Sequence, residues 1–134
     1  MFNIIVYGSL RKGDGNYDAY KNYYGKDFEY KQTTEIQGYE LYSLYGGAYP
    51  GIKKGQPSDK LTVDIIRCSN ECFADVTSME EGAGYKTVPL SIEGVNGEVI
   101  DGFIYEYEGH VKEENLVESG NWINHKYPQY AETE

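Results

Sequence analysis

FNIIVYGSL, residues 2–10, is the stretch that decides the fold of this 134-residue chain. The run from Phe2 to Tyr7 is mostly apolar and ends in Gly-Ser, a pattern that predicts a buried first strand running into a loop. A strand that ends this way can turn sharply and aim successive backbone N–H groups at one point. The segment Tyr7-Gly8-Ser9-Leu10 is therefore a candidate anion or oxyanion site, with an ordinary glycine turn as the alternative.

The first half of the chain predicts one helix and further strands. Asn16 is a candidate cap for a short helix that runs to about Tyr24. Residues 28–45 are rich in Tyr, Thr and Ile, which predicts two strands, or one long strand bent at Gly38. Residues 46–55 carry four glycines and one proline, so they are predicted to form a loop.

A central helix followed by a hairpin is predicted next. A strand at 61–67 precedes a helix capped by Ser69 or Asn70 and ending at Gly82 or Gly84, with an inner face made of Cys72, Phe73, Val76 and Met79. Residues 85–92 and 99–107 are predicted to form a hairpin. The acidic tail from residue 112 is predicted to hold a short helix anchored by Trp122. Strands, one helix and strands again predict an α+β fold in a single domain, 1–134.

Charge and composition exclude several classes of function. Twelve basic residues against 22 acidic residues give a net charge of -10, and the basic residues are scattered, which disfavours binding to nucleic acid or to an anionic membrane. The apolar N-terminal run has no preceding basic segment, and no stretch reaches the roughly 20 apolar residues that span a bilayer. The sequence therefore predicts a soluble, cytoplasmic protein. Cys68 and Cys72 are predicted to be reduced thiols, because neither they nor the two histidines have the spacing of a zinc site.

Met79-Glu80-Glu81-Gly82-Ala83-Gly84-Tyr85 is the second segment with chemical potential. Two carboxylates fall at a helix C-terminus, where the helix dipole disfavours negative charge, and such rule-breaking is typical of functional sites. An exposed acidic helix end is the alternative. If one carboxylate turns inward, burial would raise its pKa and make it a proton shuttle, with Tyr85 as a possible hydrogen-bonding partner.

Taken together and in order, these motifs resemble one family. Val6-Tyr7-Gly8-Ser9-Leu10-Arg11-Lys12-Gly13 resembles the VYGSLxxG opening of the γ-glutamylcyclotransferase-like superfamily, which includes YtfP-type and AIG2-like proteins. Further segments resemble family motifs: GYELY at 38–42 resembles GYxLY, GGAYPGI at 46–52 resembles GGxYPxL, EGAGY at 81–85 resembles EGxxY, and SGNW at 119–122 resembles SGDW. The resemblance covers nearly the whole chain.

The resemblance implies a small mixed β-barrel with one central helix packed against it and short peripheral helices. It also implies an enzyme that closes a γ-glutamyl group onto its own amine and releases 5-oxoproline, with a small γ-glutamyl compound as substrate and without a metal or organic cofactor. Glu81, the glutamate directly before glycine, matches the catalytic acid/base, and Glu80 is then its solvated neighbour. The matching substrate-binding residues are Tyr7, Gly8, Ser9, Leu10 and Tyr85.

Two departures from the family pattern keep an alternative open. The usual LDxxEG is replaced by Thr77-Ser78-Met79-Glu80-Glu81-Gly82, and the usual YxR becomes Tyr85-Lys86-Thr87. Both changes touch the catalytic helix and its support. The alternative is a module that keeps the fold and the pocket and binds a small ligand or another protein without cyclising anything. An outward-pointing Glu81 would favour that alternative.

Overall fold

Seven strands and four α-helices form in residues 1–131, the part of the chain that the computed structural model describes. The strands are β1 (Phe2–Val6), β2 (Phe28–Gln37), β3 (Tyr39–Leu44), β4 (Tyr49–Lys54), β5 (Lys60–Cys68), β6 (Tyr85–Glu93) and β7 (Val99–Tyr107). The helices are α1 (Gly15–Tyr24), α2 (Asn70–Gly82), α3 (Trp122–Lys126) and α4 (Pro128–Ala131). This mixture confirms the predicted α+β class, the strand break at Gly38 and the hairpin of β6 and β7.

The main sheet has five strands in the order β2-β5-β1-β7-β6. β1 lies at its centre, antiparallel to β5 and parallel to β7. β3 and β4 form a separate antiparallel ribbon. Among the described residues, the outer strands β2 and β6 do not pair with each other, so the sheet curls without closing into the barrel that the resemblance implies.

The central strand is buried on both faces. Ile5 packs on one side in a cluster that includes Trp122, and Ile4 and Val6 pack on the other side with Val76 of α2. Each fully buried side chain of this kind contributes roughly 1.5–3 kcal/mol of hydrophobic stabilisation. The consecutive apolar residues of β1 are therefore explained by burial of both faces of the strand. Helix α2 covers one face, and the ribbon and Trp122 cover the other.

Helix α2 begins and ends as predicted. The Ser69 hydroxyl accepts a hydrogen bond from the Cys72 amide at 3.2 Å, which caps the N-terminus. The helix ends at Gly82, and Gly84 has φ +96°, a conformation that lets the chain turn into β6. Cys68 and Cys72 are buried free cysteines. This route brings the last turn of α2 beside the end of β1.

The prediction of a loop throughout 46–55 is wrong, because β4 lies within it. β4 pairs with β3 along its full length, and among the described strands it has no partner on its other side, so the missing N–H of Pro50 leaves no ladder bond unmade. A side chain at Gly51 would meet Leu44 and Tyr107, each 2.9 Å from an added Cβ. Gly51 is thus needed because there is no room for a side chain in this strand, and Pro50 is tolerated because the strand has a free edge.

Two smaller differences concern the helix caps and the tail. Asp14 caps α1 by accepting a hydrogen bond from the Gly15 amide at 2.7 Å, whereas Asn16, the predicted cap, lies within the helix. In the tail, a 3-10 turn at Glu113–Asn115 precedes α3, and Trp122 is 1% exposed, which confirms it as the anchor. No helix within residues 1–131 has the length and apolar character needed to cross a membrane.

Candidate active site

A cavity of about 650 Å³ opens where the end of β1 meets the last turn of α2 and the β3–β4 ribbon. This volume is within the usual range for small-molecule sites, roughly 300–1,000 Å³. The four residues of the turn after β1 line it together with the end of α2. Five tyrosines also line it, namely Tyr7, Tyr45, Tyr49, Tyr85 and Tyr105. The structure therefore brings all five sequence-predicted substrate-binding residues into one cavity.

The Gly8–Leu10 turn is fixed by its packing and hydrogen bonds. An added Cβ on Gly8 would lie 2.5 Å from Cγ of Pro50, so only glycine fits beneath the ribbon. The Ser9 hydroxyl accepts a hydrogen bond from the Asn16 side chain at 2.8 Å, and its carbonyl accepts one from the Tyr17 amide at 3.0 Å. The amides of Ser9 and Leu10 have no acceptor among the described residues. Two residues that line the cavity thus have backbone donors without a partner in the described chain.

Glu80 is the acidic residue that lines the cavity. It is half-buried, and burial raises the pKa of its carboxyl group from 4.5 to about 7. Tyr7, Tyr85 and Tyr105 line the cavity with it; burial is the main cause of the raised pKa values of their phenols, and the negative charge of Glu80 adds to each. Its side chain makes no hydrogen bond or ion pair with the rest of the described chain. A carboxyl group in this state can hold or release a proton near neutral pH.

Glu81, the sequence-predicted catalytic residue, does not line the cavity. It is exposed, and its carboxylate accepts a hydrogen bond from the Thr87 hydroxyl at 2.8 Å. Neighbouring residues on an α-helix point about 100° apart, so only one of two consecutive glutamates faces the cavity. The expectation that Glu80 is the solvated neighbour is therefore wrong. Glu80 is the carboxylate at the cavity, and Glu81 is the carboxylate exposed to solvent.

The helical pattern of the sequence could have indicated that Glu80 faces inward. Cys72 and Val76 belong to the predicted inner face of α2, and both are buried. Glu80 follows Val76 by four residues and so extends the same stripe, because residues at i, i+4 and i+8 share one helix face. The helical period is thus the better guide to the inward carboxylate than its adjacency to a glycine.

The tyrosines support the cavity with hydrogen bonds to the backbone. The Tyr7 hydroxyl donates to the Tyr105 carbonyl at 2.6 Å, and the Tyr85 hydroxyl donates to the Pro50 carbonyl at 2.5 Å. The sequence suggested that Tyr85 could donate a hydrogen bond to a carboxylate, but its hydroxyl donates to this carbonyl instead. Burial raises the pKa of both phenols above the ordinary value, so they remain protonated and neutral at physiological pH. Their role in the free protein is to tie β1 and β6 to their neighbours.

Several lining residues were not predicted from the sequence. Tyr45 and Tyr49 arrive from either end of the ribbon turn, Met79 from α2 and Tyr105 from β7. Tyr105 also shares a hydrogen bond with Thr77, with the two oxygen atoms 2.8 Å apart. Tyr49 lies in the GGxYPxL match and Met79 begins the segment that contains Glu80, but no motif marks Tyr45 or Tyr105, which reach the cavity through contacts between elements distant in sequence.

Comparison with known proteins assigns a family to this arrangement. The family model described as gamma-glutamyl cyclotransferase, AIG2-like, matches residues 4–124. The chain belongs to this family. The gamma-glutamylcyclotransferase family protein YtfP of Citrobacter rodentium is 32% identical over 121 residues, which cover 90% of this chain and 95% of that protein.

Solved structures agree with the family assignment. An uncharacterised protein from Pyrococcus horikoshii has a crystal structure that matches with a TM-score of 0.72 and 26% identity, covering 98% of both chains. The mouse AIG2-like protein matches with a TM-score of 0.70 at 15% identity, covering 86% of this chain and 82% of the mouse chain, and so supports the fold alone. The AIG2-like family and its fold are thereby established for this chain.

Proposed function

We propose that this protein cyclises the γ-glutamyl group of a γ-glutamyl amine or peptide to 5-oxoproline and releases the amine, with Glu80 as the general acid/base. The observation that carries the proposal is a half-buried carboxyl group that lines a cavity of suitable size and has no partner among the described residues; burial raises its pKa to about 7. Family membership supports the reaction class. Glu80 takes the role that the resemblance assigned to Glu81. The exposed Glu81 is the observation that favours the non-catalytic alternative, and the inward Glu80 is the observation that favours catalysis.

To promote ring closure, the protein mainly has to hold the two reacting groups in the correct orientation. The α-amine and the γ-carbonyl belong to the same molecule, and effective molarities for well-oriented intramolecular reactions reach about 10⁵ M or more. The free amides of Ser9 and Leu10 are suited to hold the negative oxygen that develops at the γ-carbonyl. Packing of Gly8 against Pro50 fixes these donors before substrate enters.

Glu80 then moves the protons. Its carboxylate takes a proton from the α-ammonium, and the freed nitrogen attacks the γ-carbonyl carbon to form the lactam C–N bond. The bond from that carbon to the leaving nitrogen breaks as Glu80 returns a proton to this nitrogen. Over one turnover two protons leave the α-nitrogen and two are gained by the departing amine, so Glu80 finishes in its initial state. A pKa near the working pH suits a group that must both accept and donate.

The two adjacent glutamates provide a matched test. Glu80→Gln removes the proton shuttle with little change in shape, and we expect the rate of 5-oxoproline release to fall by about 10²- to 10⁴-fold, the usual contribution of a general acid/base. Glu81→Gln makes the same chemical change at an exposed position and should stay within about twofold of wild type. Release is measured by chromatography on a panel of γ-glutamyl amines and peptides, with thermal unfolding as the check on folding.

The reverse pattern, with Glu81→Gln inactive and Glu80→Gln active, would contradict the assignment of Glu80. If wild type binds panel members without releasing 5-oxoproline from any of them, the protein is a binding module instead.

A further inference from the structure

Two exposed aromatic rings stand at the cavity, beside the ribbon turn. Tyr45 is 68% exposed and Tyr49 is 54% exposed, although both line the cavity. Their ring centroids are 6.2 Å apart and their planes meet at 82°. Two perpendicular ring faces form a corner that offers an edge-to-face or stacked contact to a third ring. We call Tyr45 and Tyr49 the tyrosine corner.

The backbone at Tyr45 is strained. Its φ of +51° is the single positive value among non-glycine residues in the described chain, and Gly46 and Gly47 follow with φ +68° and +97°. Bulky side chains rarely adopt this conformation, and such outliers cluster at ligand sites. Tyr45 is held in place by a hydrogen bond to Tyr107, with 3.2 Å between the hydroxyl oxygens. A strained tyrosine that leaves its ring largely exposed is placed for contact with a ligand.

The charges of the residues around the cavity limit which charged groups the ligand can carry. The described lining contains one carboxylate, that of Glu80, and no lysine, arginine or histidine. Lys53 lies on the ribbon with its ammonium 5.6 Å from the centre of the Tyr107 ring, outside the lining. The γ-glutamyl group brings one carboxylate of its own into the cavity. A second carboxylate, on the leaving group, would find no cation in the described lining and would be repelled both by Glu80 and by the first carboxylate.

We propose that the leaving amine is a hydrophobic amine without a carboxylate, whose ring or alkyl chain packs into the tyrosine corner. This inference rests on the proposed function, because it assigns the γ-glutamyl end of the substrate to Glu80 and the Gly8–Leu10 turn. The corner then receives the other end. Peptides and amino acids with a free carboxylate are poorer leaving groups in this site than simple arylalkyl amines.

Three substrates separate the contributions of ring and charge. γ-Glutamyl-phenethylamine and γ-glutamyl-phenylalanine differ by one carboxylate, and γ-glutamyl-methylamine keeps the scissile bond without a ring. We expect kcat/KM for γ-glutamyl-phenethylamine to exceed both others by about tenfold or more. Equal values for the phenethylamine and phenylalanine compounds, or a preference for the latter that Lys53→Met abolishes, would overturn the proposal.

Substitutions in the corner test its contact with the ring. Tyr45→Ala and Tyr49→Ala should each lower kcat/KM for γ-glutamyl-phenethylamine by about three- to tenfold through KM, the range expected for an aromatic contact, and should barely change turnover of γ-glutamyl-methylamine. Tyr23→Ala is the control, because Tyr23 is 77% exposed on α1 and lies outside the lining. Equal losses on both substrates would show a structural role and overturn the assignment.

Binding to Glu80→Gln separates this inference from the proposed reaction. Calorimetric titration of that variant with the same compounds measures recognition without chemistry. Because this variant lacks the charge of Glu80, the informative comparison is the one that isolates the ring. Tighter binding of γ-glutamyl-phenethylamine than of γ-glutamyl-methylamine, weakened by Tyr45→Ala, supports the tyrosine corner even if wild type turns over none of the compounds. Equal binding of these two compounds, or no measurable binding of either, overturns it.

Discussion

The residues that follow β1 contribute to two regions that differ in whether their buried carboxyl group has a charged partner. Gly8–Leu10 line the tyrosine-rich cavity, where the carboxyl group of Glu80 has no partner among the described side chains. The next residue, Arg11, lines a polar cleft of about 560 Å³ and lies 3.3 Å from the buried carboxylate of Asp64. Asp64 also accepts a hydrogen bond from Thr33 at 2.7 Å. A buried charge that has an ion-pair partner is costly to leave alone, whereas a buried charge without such a partner is available for chemistry.

Removing one partner from the paired region should produce the largest loss of stability. Arg11 and Asp64 have side chains that are 8% and 1% exposed, so Arg11→Met leaves a buried carboxylate without its cation. Breaking a buried pair in this way costs about 3–5 kcal/mol. Urea unfolding followed by circular dichroism measures the change in the free energy of unfolding.

An exposed ion pair supplies the control for that experiment. Lys31 lies 3.2 Å from Glu29, and both side chains are about half exposed, at 47% and 53%. Lys31→Met should therefore cost less than about 1 kcal/mol. If Arg11→Met costs no more than Lys31→Met, the Arg11–Asp64 pair does not hold the fold, and the contrast between the two regions fails.

Rigidity of the turn is the next point of comparison. Gly8→Ala places a methyl group 2.5 Å from Cγ of Pro50, and the proline ring has little freedom to move aside. Overpacking of this kind costs about 1–3 kcal/mol. We also expect slower release of 5-oxoproline, because a shift of the ribbon or the turn moves the Ser9 and Leu10 amides away from the substrate.

Gly15→Ala is the matched substitution for Gly8→Ala. Gly15 begins α1, and an added Cβ there meets nothing within 4 Å. Its replacement should leave stability unchanged or raise it by up to about 1 kcal/mol, since alanine restricts the unfolded chain. Similar losses of stability for the two variants would mean that contact with Pro50 is not the reason for glycine at position 8.

Elements that depend on local pattern were predictable from the sequence. The apolar run of β1, the Ser69 cap of α2 and the break at Gly38 each depend on nearby residues, and the structure confirms them. β4 was missed because the suitability of Pro50 and Gly51 for a strand depends on β3 and Tyr107, which are distant in sequence. Local composition predicts backbone preference, but it does not predict which distant residue will cover a glycine.

The candidate site divides in the same way. The Gly8–Leu10 turn and Tyr85 belong to motifs, and both line the cavity. The inward carboxylate was assigned to position 81 because adjacency to glycine was preferred to the helical stripe through Cys72 and Val76. Tyr49 belongs to the GGxYPxL match but was not assigned to the site, and Tyr45 belongs to no motif, since the place of both at the cavity depends on the position of the ribbon turn.

The smallest expected effect is a dependence of stability on pH that arises from Glu80. Its pKa is about 7 in the folded protein against an ordinary value of 4.5, so between these values the folded state binds more protons than the unfolded state. Its contribution to stability is therefore fully present below about pH 4.5 and is lost as pH rises through 7. After allowance for partial exposure, we expect a loss of roughly 1–2 kcal/mol between pH 5 and pH 8.

Two variants separate this contribution from that of every other titrating group. Glu80→Gln cannot ionise, so its free energy of unfolding relative to wild type should rise by roughly 1–2 kcal/mol from pH 5 to pH 8. Glu81→Gln should keep the wild-type dependence, because its carboxylate is exposed. Urea unfolding at the two pH values measures all three proteins. Parallel behaviour of wild type and Glu80→Gln would show that the carboxyl group at position 80 ionises as freely in the folded protein as in the unfolded chain, and the contrast between unpaired and paired buried charge would lose its basis.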